Sequence, residues 1–278
     1  MVRFRAHSSP VTRCEQSQAR VPPLRVPSAL LVFAVGGALL ACEPKLVVGQ
    51  WSCGDSDASI PLRTDPVATP WATGFENAFC DYTQSGGFCF ADAAASNRIV
   101  SAPVHSGQFA AAFDVNSARS DSYQARCVRQ GGLPGAAYYG AWYYVPAQVT
   151  NRAVWNLFHF QGGNPVQHGL WDVSLISASN GDLQTVVFDF LGGVKRGPVN
   201  PPPIPIATWF HLQFFLKRAA NATGEIALYQ DGQVLTDVAN IITDDSSFGQ
   251  WYVGNYADGL EPADSTLYVD DVTIGPTP

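Results

Sequence analysis

Residues 208–218 read TWFHLQFFLKR, and apolar side chains occupy every second position over most of this stretch. Successive side chains of a β-strand point to opposite faces of its sheet. One face would therefore carry Phe210, Leu212, Phe214 and Leu216, and the other His211, Gln213, Phe215 and Lys217. We predict a strand that buries its first face in a core and leaves its mixed aromatic and polar face half wet.

Ten further segments of similar length flank this one along the chain. The dipeptides Asn180-Gly181 and Asp231-Gly232 between them are typical of tight hairpin turns. No helical period persists beyond about two turns, which favours a sandwich or barrel, and no internal repeat suggests a propeller or solenoid. The predicted strands are 98–103, 108–115, 137–145, 154–161, 170–177, 183–190, 224–230, 233–237, 249–255 and 266–274.

The N-terminal region has the features of an export signal. It contains five arginines, followed by an apolar run at 29–41 that is too short to span a bilayer with normal flanks. The run ends in Leu-Leu-Ala-Cys at 39–42, which resembles the lipobox of bacterial lipoproteins. The resemblance implies a signal peptide over 1–41, a lipid on Cys42, and a protein held by lipid at the cell envelope, facing the periplasm or the outside. Ordinary secretory cleavage near Ala41, or an uncleaved anchor, remains the alternative.

The mature part of the chain would be acidic. Residues 42–70 are polar and contain several prolines, so we predict a linker there and one domain over 71–278. The full chain has a net charge of −7, and loss of residues 1–41, which carry +4, leaves about −11. We therefore expect no nucleic-acid partner, and the same charge argues against a polyuronate ligand.

The cysteines predict disulfides outside the cytoplasm. Cys14 would leave with the signal and Cys42 would carry the lipid, so an even number remains. Three pairings are open, and we favour Cys80 with Cys89 because they enclose a short Gly-rich segment. A zinc site is disfavoured, since neither a CxxC spacing nor a histidine pair accompanies them. The four remaining cysteines are Cys53, Cys80, Cys89 and Cys127.

Short motifs in the predicted domain resemble the concanavalin A-like jelly rolls. They are GFE at 74–76, AP at 102–103, SG at 106–107, WFHL at 209–212, TGEI at 223–226, YQDG at 229–232, VGNY at 253–256 and LYVDDV at 267–272. Their order is similar to the polysaccharide-lyase-like and laminin-G-like branches of that group. The resemblance implies an all-β, two-sheet antiparallel jelly-roll sandwich. It also implies a structural calcium bound by Glu76 and Asp270, with Asp271 as a further ligand; an exposed Asp-Asp pair or a hydrogen-bonded carboxylate is the alternative.

Two functions compete. Half-wet aromatic faces suit the binding of sugars, because a ring packs on a pyranose while amides meet its hydroxyls. The first expectation is thus a carbohydrate-binding domain that recognises a polysaccharide on its concave sheet. The binding residues would be Trp155, Gln213, Phe215, Tyr252 and Tyr256.

The alternative is a polysaccharide lyase that cleaves a uronate-containing polymer by β-elimination. The resemblance implies a neutraliser for the uronate carboxylate and a His or Tyr for proton transfer. The candidates are His159, Gln161, Arg126, Tyr144 and His211. A jelly-roll glucanase is disfavoured because its Glu-x-Asp-x-x-Glu motif is missing from the sequence, as are GxSxG, P-loop and HExxH motifs.

Overall fold

The computed structural model describes residues 66–163, 168–198, 200–244 and 248–278, and strands dominate this part of the chain. Within it the elements are β1 (Trp71–Thr73), α1 (Cys80–Gln84), β2 (Phe88–Ala91), β3 (Ser96–Val100), β4 (Ala110–Asn116), β5 (Gln124–Gly131), β6 (Ala136–Tyr144), β7 (Thr150–Gly162), β8 (His168–Ser177), β9 (Leu183–Asp189), β10 (Val194–Arg196), β11 (Trp209–Lys217), β12 (Gly224–Gln230), β13 (Gln233–Ile241), β14 (Gly249–Glu261) and β15 (Asp264–Gly275).

The strands form two antiparallel sheets. The eight-stranded sheet has the order β13-β12-β11-β6-β15-β4-β3, with β1 paired to β15, and the seven-stranded sheet has the order β10-β9-β8-β7-β14-β5-β2. Neighbours in each order are distant in sequence at several points, as Greek-key connections require. The predicted all-β, two-sheet jelly-roll sandwich is confirmed.

The core lies between the sheets and contains the apolar face predicted for β11. Phe210, Leu212, Phe214 and Leu216 are all fully buried. The ring of Phe214 lies 5.1 Å from that of Phe160 in the opposite sheet. Burial of each such side chain contributes roughly 1.5–3 kcal/mol, so the alternation in this strand drives the sheets together.

Four strands were not predicted: β1, β2, β5 and β10. The most consequential is β5, which lies between β14 and β2. One of its faces carries Gln124, Arg126 and Gln130, and its other face holds the fully buried Arg129 beneath the ring of Trp71 at 4.5 Å. Because polar side chains lie on both faces of β5, its sequence does not alternate between apolar and polar residues. The search for alternation therefore did not predict this strand.

The predicted hairpin turns are present. Asp231 and Gly232 both have positive φ, 50° and 78°, between β12 and β13. Glycine suits the second position because it has no Cβ to clash there. Gly181, with φ of 91°, donates its backbone N–H to Ala178 in the loop between β8 and β9.

The favoured cysteine pairing was wrong. Cys89 bonds with Cys127, not with Cys80. The two lie directly opposite each other on β2 and β5, with their Cα atoms 4.0 Å apart, whereas Cys80 begins helix α1 and is also disulfide-bonded. The prediction missed this because strand pairing brings together cysteines that are 38 residues apart.

The predicted signal peptide, Cys42, Cys53 and most of the predicted linker lie outside the described residues and stay predictions. The last residues of that linker already belong to the domain, because the N–H of Val67 donates to the carbonyl of Gly132. Among the described residues, no helix has the length and apolar character needed to cross a bilayer.

Candidate functional site

One row of side chains crosses the outer face of the seven-stranded sheet. Residues paired across antiparallel strands share a face, so the register can be followed from strand to strand. Phe158, Phe160 and Val253 are sequence neighbours of row residues and lie in the core. Because successive side chains of a strand alternate between faces, the row itself faces outward. We define the central row as Lys195, Phe188, Asp172, His159, Tyr252, Val128 and Phe88, from β10 to β2.

His159 and Asp172 form a hydrogen-bonded pair in the middle of this row. Nδ1 of His159 lies 2.5 Å from Oδ1 of Asp172, and both side chains retain a little exposure, 13% and 14%. A carboxylate accepts only, so Nδ1 carries the hydrogen and Nε2 is left with a lone pair. Asp172 therefore fixes the tautomer in which His159 can take up a proton.

Tyr252 stands beside His159 on the next strand. Their rings lie 5.3 Å apart, edge to face. The hydroxyl of Tyr252 lies 2.9 Å from Oε1 of Gln161 and 2.6 Å from Oε1 of Gln250. Burial raises the pKa of Tyr252 to about 12, although the nearby Arg126 acts in the opposite direction. Tyr252 thus keeps its proton at neutral pH and can donate it.

Arg126 supplies the positive charge of the site. Its Nη2 donates to Oδ1 of Asn156 at 3.1 Å, and its guanidinium lies 4.5 Å from the ring centre of Tyr256 and 5.5 Å from that of Tyr252. Burial lowers the pKa of Arg126 to about 10, and the charge of Asp172 partly offsets this. Arg126 therefore remains a cation at neutral pH.

A β-bulge in β7 overturns the prediction for Trp155. The pairing of β7 with β8 shifts between Asn156 and Phe158. A one-residue shift exchanges the faces of a strand, so Trp155 enters the core, fully buried, and donates its Nε1–H to Asn255 at 3.0 Å. Asn156 takes the outward place beside Arg126 instead. Trp155 cannot contact a glycan, and the uninterrupted period assumed for this strand was wrong.

The remaining predicted residues lie on the opposite sheet. Tyr144 of β6 packs against Trp209 and Tyr268 at 5.5 and 5.7 Å. His211 of β11 stacks at 5.1 Å on Trp142, and burial lowers its pKa.

Gln213 and Phe215 share the outer face of β11 with His211, so they also belong to the eight-stranded sheet. Tyr144 and His211 are separated by the core from His159. The candidates therefore divide between the two sheets: His159, Gln161 and Arg126 meet, together with Tyr252 and Tyr256, whereas Tyr144 and His211 do not join them.

The carboxylates predicted to bind calcium are engaged by backbone amides. Asp270 is fully buried, and its Oδ2 accepts the N–H groups of His105 and Ser106 at 2.9 and 3.2 Å. Burial raises the pKa of Asp270 to about 6, and those amides oppose the shift. Oε1 of Glu76 accepts the backbone N–H groups of Gln108 and Phe109.

Oδ2 of Asp271 lies at hydrogen-bond distance, 2.6 Å, from Nδ1 of His105. Its Oδ1 accepts a hydrogen bond from the hydroxyl of Ser106 at 2.8 Å. No group of three or more His, Cys, Asp or Glu side chains in the described ranges has the geometry of a metal site. The carboxylates hold a loop in place, they do not fit a calcium site as they stand, and calcium stays a prediction.

Three members of the site were missed from the sequence: Asp172, Asn156 and Gln250. Asp172 had a detectable signal, since it is the only ionisable residue within the apolar segment 170–177. Asn156 depends on the bulge and Gln250 on the pairing of β14 with β7. Those two contacts arise from tertiary structure and leave no local pattern.

The architecture and its outward polar cluster define a jelly-roll-type β-sandwich with a candidate site on its seven-stranded sheet. No family model matches the chain, and neither does any curated protein. Several solved structures have a similar fold. An endo-β-1,4-glucuronan lyase from the fungus Trichoderma reesei aligns with a TM-score of 0.52 at 17% identity, covering 68% of this chain and 90% of that one.

Two further structures align equally well. The cellulose-induced protein Cip1 has a TM-score of 0.52 at 12% identity, with 74% of this chain and 97% of that chain covered. A variant of the alginate lyase Aly36B in complex with an alginate trisaccharide has a TM-score of 0.52 at 13% identity, with 79% and 100% covered. At such identities these likenesses show the fold.

Proposed function

We propose that the protein is a polysaccharide lyase that cleaves a uronate-containing polymer by β-elimination. The observation that carries the proposal is the meeting of His159, Tyr252 and Arg126 on one outward face, with Asn156 and Gln161 beside them. A base, an acid and a neutralising cation within reach of one sugar ring are what elimination requires. Two of the proteins with a similar fold are a glucuronan lyase and a variant of an alginate lyase.

Nε2 of His159 is the base in this proposal. It removes the proton from C5 of the uronate, and the electron pair of that C–H bond forms the C4=C5 double bond. The bond from C4 to the glycosidic oxygen breaks, and its electrons leave with that oxygen. Tyr252, protonated because of its raised pKa, gives its proton to the leaving oxygen. Asp172 stabilises the imidazolium that forms.

Arg126 and its amide neighbours serve the carboxylate of the uronate. Elimination needs that carboxylate neutralised, because negative charge moves onto it as the proton leaves C5. Arg126 lies almost fully buried, where a charge acts more strongly than in water. Asn156 orients the guanidinium, and Gln161 adds an amide beside Tyr252.

A binding-only domain is the second candidate, and the phenylalanines of the central row favour it. Pure binding gives no reason for the hydrogen bond that fixes the tautomer of His159, so the lyase accounts for more of the site. Hydrolysis fits less well. Glycosidases use two carboxylates across the scissile bond, whereas the central row contains one, which is bonded to His159.

The decisive experiment uses two histidine variants of the full chain. Ultraviolet absorbance of unsaturated uronate is followed on a panel of uronate polymers, with glycan binding measured in parallel. We expect product with the wild type and with His211→Ala, and a loss of rate of about 10²–10⁴-fold with His159→Ala. His211 is the matched control because it lies on the opposite sheet.

Binding of a glycan without product on any polymer would establish the binding-only function. A His159→Ala variant as active as His211→Ala would remove His159 from the chemistry. The pair Tyr252→Phe and Tyr144→Phe repeats the comparison for the acid, since Tyr144 also lies on the eight-stranded sheet.

We further propose that the protein meets its polysaccharide outside the cytoplasm, tethered through a lipid on Cys42. The support is the lipobox-like segment 39–42 and the presence of a disulfide between Cys89 and Cys127, which forms in oxidising compartments. Metabolic labelling with a fatty acid tests the tether. Label should enter the wild type and be lost in Cys42→Ala; equal labelling of both refutes it.

A further inference from the structure

The candidate site has few cations along the path of a bound polymer. The central row itself contains one lysine or arginine, Lys195 of β10 at one edge of the sheet, whereas Arg126 lies beside the row on β5, two residues from Val128. Five strand spacings separate β5 from β10, which is about 24 Å at roughly 4.8 Å each. The charge between them is Asp172, an anion. A polymer that crosses the sheet therefore passes over a long stretch without a cation to meet it.

Phenylalanines flank the reacting pair on both sides. The ring of Phe190 lies 6.2 Å from that of His159, and the ring of Phe90 lies 6.4 Å from that of Tyr252. Phe188 continues the first side, 4.7 Å from Phe190. Phe190 is 43% exposed, so this apolar surface is open to a ligand. The sugars on either side of the cleaved bond would rest against uncharged rings.

These surroundings treat charged and neutral sugars differently. A carboxylate placed against a phenylalanine loses water and gains no partner, which is unfavourable. The net charge of −7 on the chain adds repulsion for each further carboxylate. A neutral sugar loses less and packs its C–H face on the ring. A polymer of uronates alone presents a carboxylate on every sugar, and Arg126 can neutralise one of them.

We infer that the substrate is a heteropolysaccharide in which the uronate at the cleavage point is flanked by neutral sugars. This inference rests on the proposed lyase function and adds to it the class of polymer. It also removes the conflict between an acidic protein and an acidic ligand, because one carboxylate near Arg126 is attracted while a row of carboxylates is not.

The test compares two kinds of polymer at equal uronate concentration. One kind is made of uronate alone, such as glucuronan, alginate and polygalacturonate; the other is an unsulfated polymer in which uronate alternates with a neutral sugar. The initial rate of formation of unsaturated uronate by the full chain gives kcat/KM for each. We expect kcat/KM to be at least about tenfold higher on the alternating polymer.

A pair of lysine variants tests whether the uncharged rings beside the site cause this preference for the alternating polymer. Phe190→Lys adds a cation beside His159, and it should raise the rate on the uronate-only polymers relative to the alternating one. Val234→Lys is the matched control, because Val234 is 51% exposed and lies on β13 of the other sheet. It changes the net charge equally and should leave the ratio unchanged.

The outcomes separate the two proposals. Equal or faster cleavage of the uronate-only polymers overturns the inference and leaves the lyase function intact. An equal effect of Phe190→Lys and Val234→Lys overturns the role of the flanking rings. Glycan binding without product on either kind of polymer overturns the lyase function itself, and the substrate class with it.

Discussion

Replacement of Asp172 by Asn tests how the structure prepares His159 for proton transfer. Asp172 contacts His159 through Nδ1 and is assigned no contact with the sugar, so it acts as a positioning residue. Asparagine keeps the shape but can present its NH₂ group to Nδ1, which favours the wrong tautomer. It also removes the negative charge that stabilises the imidazolium.

The size of the effect follows from the kind of bond. A hydrogen bond to a charged group contributes about 1.5–3 kcal/mol. At 1.36 kcal/mol for each factor of ten, Asp172→Asn should lower kcat by about 10- to 150-fold. KM should change little, since the group that binds the uronate carboxylate is Arg126. A merely structural role for Asp172 would not produce this split.

The assay is the absorbance of unsaturated product at saturating and at limiting substrate, with thermal unfolding followed by circular dichroism. Asp182→Asn is the control, because Asp182 lies partly exposed in the loop after β8, away from His159, and its replacement removes the same charge. A kcat for Asp172→Asn equal to that of the control would refute the reasoning. A raised KM at unchanged kcat would refute it too, because it would assign Asp172 to binding.

Three further outcomes are expected. Because the pKa of Tyr252 is raised to about 12, Tyr252 should still be protonated at pH 10, so the wild type and Tyr252→Phe should show the same tyrosinate absorbance there; a smaller absorbance for Tyr252→Phe near pH 10, the ordinary value for tyrosine, would contradict this. Replacement of Cys89 and Cys127 by Ala should lower the free energy of unfolding by about 3–4 kcal/mol, judged from the 38-residue separation; denaturant titration at equal m-values measures it, and an unchanged midpoint would exclude it. Trp155→Ala should cost about 3–5 kcal/mol of stability and, at a temperature where the variant is folded, leave glycan affinity within about twofold; a selective loss of affinity would return Trp155 to the ligand surface.

Most strands and both turns of the fold were predicted from local sequence pattern. The alternation in 208–218 placed the residues of β11 on the correct faces, because a strand that is half buried must alternate. Both predicted turns formed, and the residues with positive φ in them are Asp231, Gly232 and Gly181. The strand β5 was missed for the opposite reason: Arg126 and Arg129 are charged side chains that the fold buries, and a charged residue gives no local sign of burial.

Only some residues of the candidate site were predicted from the sequence. His159 and Gln161, both predicted as candidates, lie on one outward face. The pairing of β7 with β8 shifts between Phe160 and Gln161, but the pairing of β7 with β14 continues through both residues without a shift. Trp155 was misplaced because a bulge changes the phase without a sequence marker. Tyr144 and His211 have suitable chemistry, but their strands belong to the other sheet.

The sequence by itself determined the class of the molecule: an all-β chain with tight turns and a β11 that buries one face. It also supplied the candidate side chains for the proposed site. These properties follow from neighbouring residues, whose spacing is fixed by the geometry of the backbone. The tertiary structure alone decided which of those side chains meet. Asp172, His159, Tyr252 and Arg126 come from four strands, and their meeting depends on strand order and register, which are set by packing across the whole sandwich.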